Sequence, residues 1–181
     1  LIPAGQELSG LELSLASVNT TPKQLVLKRF IEKNDLLKLY DAIVIDSPPT
    51  LGLLVVNILC AAHGVIVPFR PDEFSRKGLT HLYGVLADVE EMGLTQVPKI
   101  LAHVPNLMDP RRKQEGLDLE RISGEAQGPV VPAFMNRAPL VRSQAQRKSV
   151  YDYEASEYQE LRQQFDHLAH LIQDMPAQEG V

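Results

Sequence analysis

The run Tyr40-Asp-Ala-Ile-Val-Ile-Asp-Ser-Pro-Pro-Thr-Leu-Gly52 constrains this chain more than any other stretch of it. Four apolar residues, Ala42 to Ile45, lead directly into Asp46. A continuous, mostly β-branched run of this kind predicts a strand buried on both faces, as in a parallel sheet covered by helices. Its carboxyl end is where open α/β sheets place their ligands, and Asp46 stands there. Pro48 and Pro49 lack N–H donors and hold the preceding backbone extended, so no helix can start at once. The pattern is a stiff loop beside an acid, which suits a metal–phosphate site.

The surrounding sequence alternates between strand-like and helix-like stretches. Lys23–Tyr40 carries Val26, Leu27, Phe30, Ile31 and Leu37 at helical spacing, and 52–62 reads as a buried helix. Short strands are predicted at 64–69, 98–104 and 129–134. Leu79, Leu82, Leu86 and Val89 form the apolar face of an intervening helix. A polar helix is expected around 117–122, and a closing helix on the stripe Tyr158, Leu161, Phe165, Leu168 and Leu171. Residues 11–17 alternate with period two, the pattern of a strand. Strands separated by helices imply right-handed parallel crossovers. The expected fold is therefore α/β, a three-layer sandwich on a mostly parallel sheet, with 1–174 as one domain and 175–181 as a tail.

Composition narrows the function. At 181 residues and 44% hydrophobic content the chain can bury a real core. A formal charge of -5 excludes a global field that attracts nucleic acid, so any such contact needs a local patch. The single cysteine, Cys60, cannot form an internal disulfide and points to a reducing cytoplasm. The apolar run 51–62 is too short for a membrane span and has Asn57 inside it. His167 and His170 stand one helical turn apart with no supporting carboxylate set, the pattern of surface residues rather than a metal site.

The residues from Tyr40 to Gly52 resemble the second nucleotide motif of the ParA/Soj chromosome- and plasmid-partitioning ATPases, the deviant Walker A branch of the MinD/ParA superfamily. The similarity continues in order along the chain. It includes Leu1–Ala4, Lys23–Phe30, Val67-Pro68 with Pro71-Asp-Glu-Phe and Lys77-Gly-Leu, Asp109-Pro-Arg111, and Lys148-Ser-Val150. On that resemblance 10–16 is a short helix or turn rather than a strand. The resemblance implies a P-loop NTPase-like fold whose first strand and Gly-rich Walker A loop are missing here. Backbone amides of that loop cradle the phosphates, and its lysine and Ser/Thr hold charge and metal. The start at a leucine, in phase with the family's middle, implies a piece of a longer chain.

The resemblance also implies residue roles. Asp46 is its Walker B aspartate, helping to hold Mg²⁺ through water, and Ser47 to Gly52, including Pro48, is the segment that senses the γ-phosphate. Adenine falls to the loops His103–Asn106 and Met135–Arg137, which implicates Asn136 and Arg137. No catalytic residue lies in this chain. Arg111, Arg112 and Lys113 are adjacent, and residues 126–151 contain no acid while including Arg137, Arg142, Arg147 and Lys148. That segregation implies a one-sided cationic surface, and the resemblance assigns non-specific DNA binding to Arg111, Arg112, Arg142 and Arg147. A spacing of five turns successive arginines by about 140° on a helix, so sharing a face requires an intervening loop.

The implied whole protein is a partition ATPase: ATP and Mg²⁺ as cofactors, a nucleotide-bound homodimer on non-specific DNA, and a ParB-like partner that stimulates hydrolysis. Such a protein is cytoplasmic and nucleoid-associated, with no membrane partner. This chain alone is expected to bind no nucleotide and to be inactive. The alternative is a P-loop-less, non-catalytic relative that binds DNA or protein. Related proteins of membrane positioning and metallocluster assembly fit less well: the closing helix has a core-like stripe, and one cysteine cannot ligate a cluster.

Overall fold

The structure is a computed structural model and describes residues 10, 15, 17 and 22–175. After a 3-10 turn at Lys23–Leu25 its elements run α1 (Val26–Lys33), α2 (Leu36–Leu39), α3 (Leu53–Ala61), β1 (Gly64–Phe69), α4 (Glu73–Met92), β2 (Lys99–Pro105), α5 (Lys113–Glu125), α6 (Ala138–Gln146), 3-10 turns at Val150–Asp152 and Ser156–Tyr158, and α7 (Gln159–Gln173). Two compact units emerge. One comprises Leu1–His63 with His81–Lys99, the other Gly64–Thr80 with Ile100–Val181. The segment expected at Leu1–Ala4, most of the turn at 10–16 and the tail beyond 175 lie outside the described residues.

In the first unit the helix expected over Lys23–Tyr40 is broken. The Asn34 side-chain amide donates to the Phe30 carbonyl at 2.7 Å, and the Asn34 backbone N–H reaches the same oxygen. Asp35 then takes a left-handed conformation (φ 51°) and α2 starts afresh. Asp tolerates the left-handed geometry and the Asn34 amide competes with the helix for its own carbonyl, so they end α1 where hydrophobic spacing alone would continue it. The turn at Lys23–Leu25 and α1 pack on α3. Ile31, Val55, Leu59 and Cys60 are buried there, as are Leu82, Val85, Leu86 and Val89 on the α4 stripe.

The strand expected at Ala42–Ile45 is not formed. Residues 42–48 have no regular structure, Val44 is 78% exposed, and among the described residues none of their backbone amides enters a ladder. A strand is stabilised by its neighbours' N–H and C=O groups rather than by its own composition. With no such neighbours among the described residues, this apolar, β-branched run is irregular and exposed.

The second unit is built on β2. Lys99 N–H donates to the His63 carbonyl at the start of the ladder and Asn106 N–H to Phe69 at its end, so β1 and β2 advance together and are parallel. On the other side of β2, residues 129–136 run parallel as well, but the strand expected at 129–134 is reduced to two isolated bridges, His103 with Val130 and Met108 with Met135. Pro132 has no N–H to donate, and the ladder is interrupted between its two bridges. Ala102, Val104, Val131, Phe134, Val150, Tyr158 and Leu161 form the core, with Phe165, Leu168 and Leu171 of α7 against it. Phe134 meets Phe165 edge-on at 5.1 Å. The fold is α/β with parallel strands, as the spacing of apolar segments predicts.

His103 sits fully buried at the centre of this ladder, its backbone bonded to Pro129 and Val131 on the far side, with Nδ1 3.2 Å from the Pro129 carbonyl. Burial pushes its pKa below the ordinary 6.5, opposed by that carbonyl contact. A depressed pKa stabilises the fold above the unfolded value and loses that contribution as pH falls through the folded value. The urea midpoint should therefore drop as pH is lowered from 7.5 past 6.5, and H103Q, which removes the titrating ring, should flatten this limb. An equally steep limb in H103Q would remove His103 as its cause.

Candidate functional site

Asp46 lies in the first unit with its carboxylate exposed and without a partner among the described residues. Pro48 is half-buried, and Gly52 closes the loop by donating to the Thr50 carbonyl at 2.9 Å. Gly52 is itself extended, and its carbonyl accepts the first α3 bond, from Val56 at 3.1 Å. Helix α3 is apolar nearly throughout, so it is held by burial of Val55, Leu59 and Cys60 rather than by amphipathic placement. Burial raises the Cys60 thiol, which is thereby a core residue and a poor nucleophile. The loop from Asp46 to Gly52 is thus fixed at its carboxyl end and free at its acid.

Among the described residues no cluster of three or more His, Cys, Asp or Glu could hold a metal ion. A single free carboxylate still fits Mg²⁺, which keeps several waters and takes one or two carboxylates together with substrate phosphates. It does not fit zinc or calcium, which need several protein ligands.

The two loops that the ParA/Soj resemblance assigns to adenine both belong to the second unit, and the structure joins them. Asn106 N–H donates to Phe69, its side-chain oxygen accepts from Leu107, and Leu107 is left-handed (φ 55°). Met108 N–H then reaches Phe134, and Asn136 N–H returns to Met108 at 2.9 Å. Asn136 is exposed beside this junction. His103 belongs instead to the interior of β2. Arg137 turns away from the loop and grips Glu160 of α7 through both terminal nitrogens, the longer contact being 2.9 Å. That guanidinium lowers the Glu160 pKa.

The expected cationic surface is largely neutralised in place. Arg111 binds Asp109 through two nitrogens at 2.9 and 2.8 Å, which holds the Asp109 carboxyl down at about 2. Arg112 approaches Glu115 at 3.4 Å and Asp109 at 4.0 Å. Arg142 pairs with Glu157 at 2.7 Å. Residues 126–151 contain no acid, but 157 and 160 supply the partners across the turn, and charge counting along the chain misses this. Arg147 is different. It caps α6 in the left-handed region (φ 52°), and Lys148 N–H closes the turn onto Ser143. Neither Arg147 nor Lys148 has a side-chain ion pair among the described residues. Helix α6, with Pro139 in its first turn, was legible as an Ala-Pro start that hydrophobic periodicity overlooked.

Comparison with known proteins places the chain in a family. A family model for an AAA domain matches residues 1–98. The Bacillus subtilis sporulation initiation inhibitor protein Soj is 36% identical over 50% of this chain and 34% of its own length. The Myxococcus xanthus chromosome partitioning protein ParA is 31% identical over 68% of this chain and 42% of its own. The chain thus spans less than half the length of either relative. An ATP complex of Cyanothece McdA superposes with a TM-score of 0.82 at 19% identity, covering 99% of this chain and 68% of that one, a likeness of fold. The fold is P-loop NTPase-like. Among the described residues no helix is long and apolar enough to cross a membrane.

A carboxylate serving only as a turn cap would cost roughly 1 kcal/mol on removal. D46A should instead leave the unfolding free energy of the 181-residue chain within about 0.5 kcal/mol. A larger loss in a urea titration would make Asp46 a structural cap.

Proposed function

Because the chain belongs to the AAA-domain family and, within it, to the ParA/Soj-type proteins of the MinD/ParA superfamily, we propose that it forms the switch and DNA-contacting portion of a partition ATPase. The observation that carries this reading is the exposed Asp46 carboxylate, unpartnered among the described residues, at the head of a Pro-Pro loop anchored to α3. Asp46, as the Walker B residue, would help hold Mg²⁺ through water. Bound ATP–Mg²⁺ supplies the anhydride to be cleaved and the charge that orders the loop. Residues 47–52, with Pro48 limiting the loop's conformations, respond to the γ-phosphate. The junction of Asn106–Met108 with Asn136 offers exposed polar groups to the base, and Arg137 holds that junction to α7. The phosphates themselves require a Gly-rich loop, which none of the 181 residues forms. ATP binding and hydrolysis therefore belong to the protein in which this chain is joined to such a segment, with 1–174 as the corresponding part of one ATPase domain.

Nucleotide then acts as a population switch. ATP selects a face-to-face homodimer, the dimer binds DNA, and a ParB-like partner speeds hydrolysis and release. Cytoplasmic, nucleoid-associated action follows from that cycle. The DNA surface consists of Arg111, Arg112, Arg142 and Arg147, extended by Lys148. The ion pairs of the first three are exposed and screened by solvent, so phosphates can replace their carboxylate partners. Arg147 needs no exchange.

DNA affinity of the ATP-bound protein carrying the Gly-rich loop provides the test. The R147A/K148A variant should weaken binding equally across sequences and reduce the log–log salt slope by roughly 1 to 2. R111A/R112A should act in the same direction but more weakly, because asparate and glutamate partners already neutralise those arginines. Unchanged affinity and slope in both variants would remove DNA from this surface.

A further inference from the structure

We propose that Asn57 is a positioning residue for the Asp46–Gly52 loop, tying with one side chain the start of α1 to the start of α3, the helix that follows the loop. The inference rests on reading the loop as the nucleotide switch.

Asn57 lies in the middle of α3 and is 1% exposed. In an otherwise apolar helix this is an expensive choice. Asparagine is a poorer helix former than leucine, and a buried amide must recover its lost hydration. It recovers it through three contacts. Its Oδ1 accepts from Leu27 N–H at 3.2 Å, and its Nδ2 donates to the Lys23 carbonyl at 2.7 Å and to the Leu53 carbonyl at 3.1 Å.

The identities of these partners give the contacts their meaning. Lys23 and Leu27 flank the point where the 3-10 turn becomes α1, and α1 has no capping side chain of its own. Leu27 N–H is among the amides that a helix start leaves without an intrahelical acceptor, so Asn57 caps α1 from another element. Leu53 is the first residue of α3, directly after Gly52. The amide therefore ties the start of α1, through Lys23 and Leu27, to the first turn of α3, where its Leu53 bond is made within the helix. These are the two ends of the segment 28–52, which contains Asp46. A leucine would fill the same space and bury more apolar area, but it would recognise neither foot. Because the residues ahead of Asp46 lack ladder partners among those described, this clamp adds a polar, position-specific tie between the start of α1 and the start of α3 to the backbone bonds and burial that hold the loop's carboxyl end.

Residue-resolved amide exchange on the 181-residue chain tests the assignment. In N57L the amides of Leu27, Gly52 and Val56 should exchange roughly tenfold faster or more. Those of His103, Val131 and Phe134, in the other unit, should keep their protection. N57D keeps the acceptor and loses both donors. It should spare Leu27 while releasing Gly52 and Val56, a split that general loss of packing does not produce. If N57D does not fold, N57L decides alone. Unchanged protection at Gly52 and Val56, or acceleration shared evenly with His103 and Val131, overturns the proposal. Exchange is read without nucleotide, so this result and any failure of the ATPase reading are separable.

Discussion

Every peptide group taken out of water needs a partner, and that requirement shapes both halves of this molecule. Strand β2 satisfies it on two sides, toward β1 and toward 129–136, and the second unit condenses around it with His103 and Ala102 fully buried. The run Ala42–Ile45 has a stronger strand composition than β2 but finds no such partners among the described residues, and it remains irregular. Composition sets the capacity to be a strand, whereas neighbours decide whether the strand exists.

The same requirement explains why the candidate site is asymmetric. The carboxyl side of the Asp46–Gly52 loop is tied into α3 by backbone bonds and by burial of a nearly all-apolar helix. The acid itself is exposed and has no partner among the described residues. Under the proposed function, that arrangement would let Asp46 accept waters around a divalent cation and shift with the charge of a phosphate. In the second unit the loops after β2 and after Phe134 are stitched to each other by Met108 and Asn136, which makes one polar surface out of two connections.

Much of this was legible residue by residue. Tyr40–Gly52 identified the ParA/Soj resemblance, which the family match and the Soj and ParA relatives bear out. The stripe Leu79, Leu82, Leu86 and Val89 is the buried face of α4. What could not be read depended on contacts distant in sequence or on local polar competition. Asn34 and Asp35 end α1 through their own side chains and backbone. Pro132 interrupts a ladder whose apolar pattern looked continuous. Glu157 and Glu160 neutralise a stretch that is purely basic in one dimension. Asn57 looked like an interruption in an apolar run, and only its three partners, spread over residues 23–53, give it a role.

The central claim is that this chain carries the metal-side wall of an ATP site and lacks the phosphate cradle. Calorimetric titration of ATP with Mg²⁺ measures this directly, first on the 181-residue chain and then on the same chain joined to a Gly-rich loop of the ParA/Soj type. The account predicts no micromolar binding to the chain alone, and Mg²⁺-dependent micromolar binding that appears once the loop is joined and weakens at least tenfold in D46A. Micromolar, Mg²⁺-dependent binding by the 181 residues alone, or indifference of the joined protein to D46A, would contradict it.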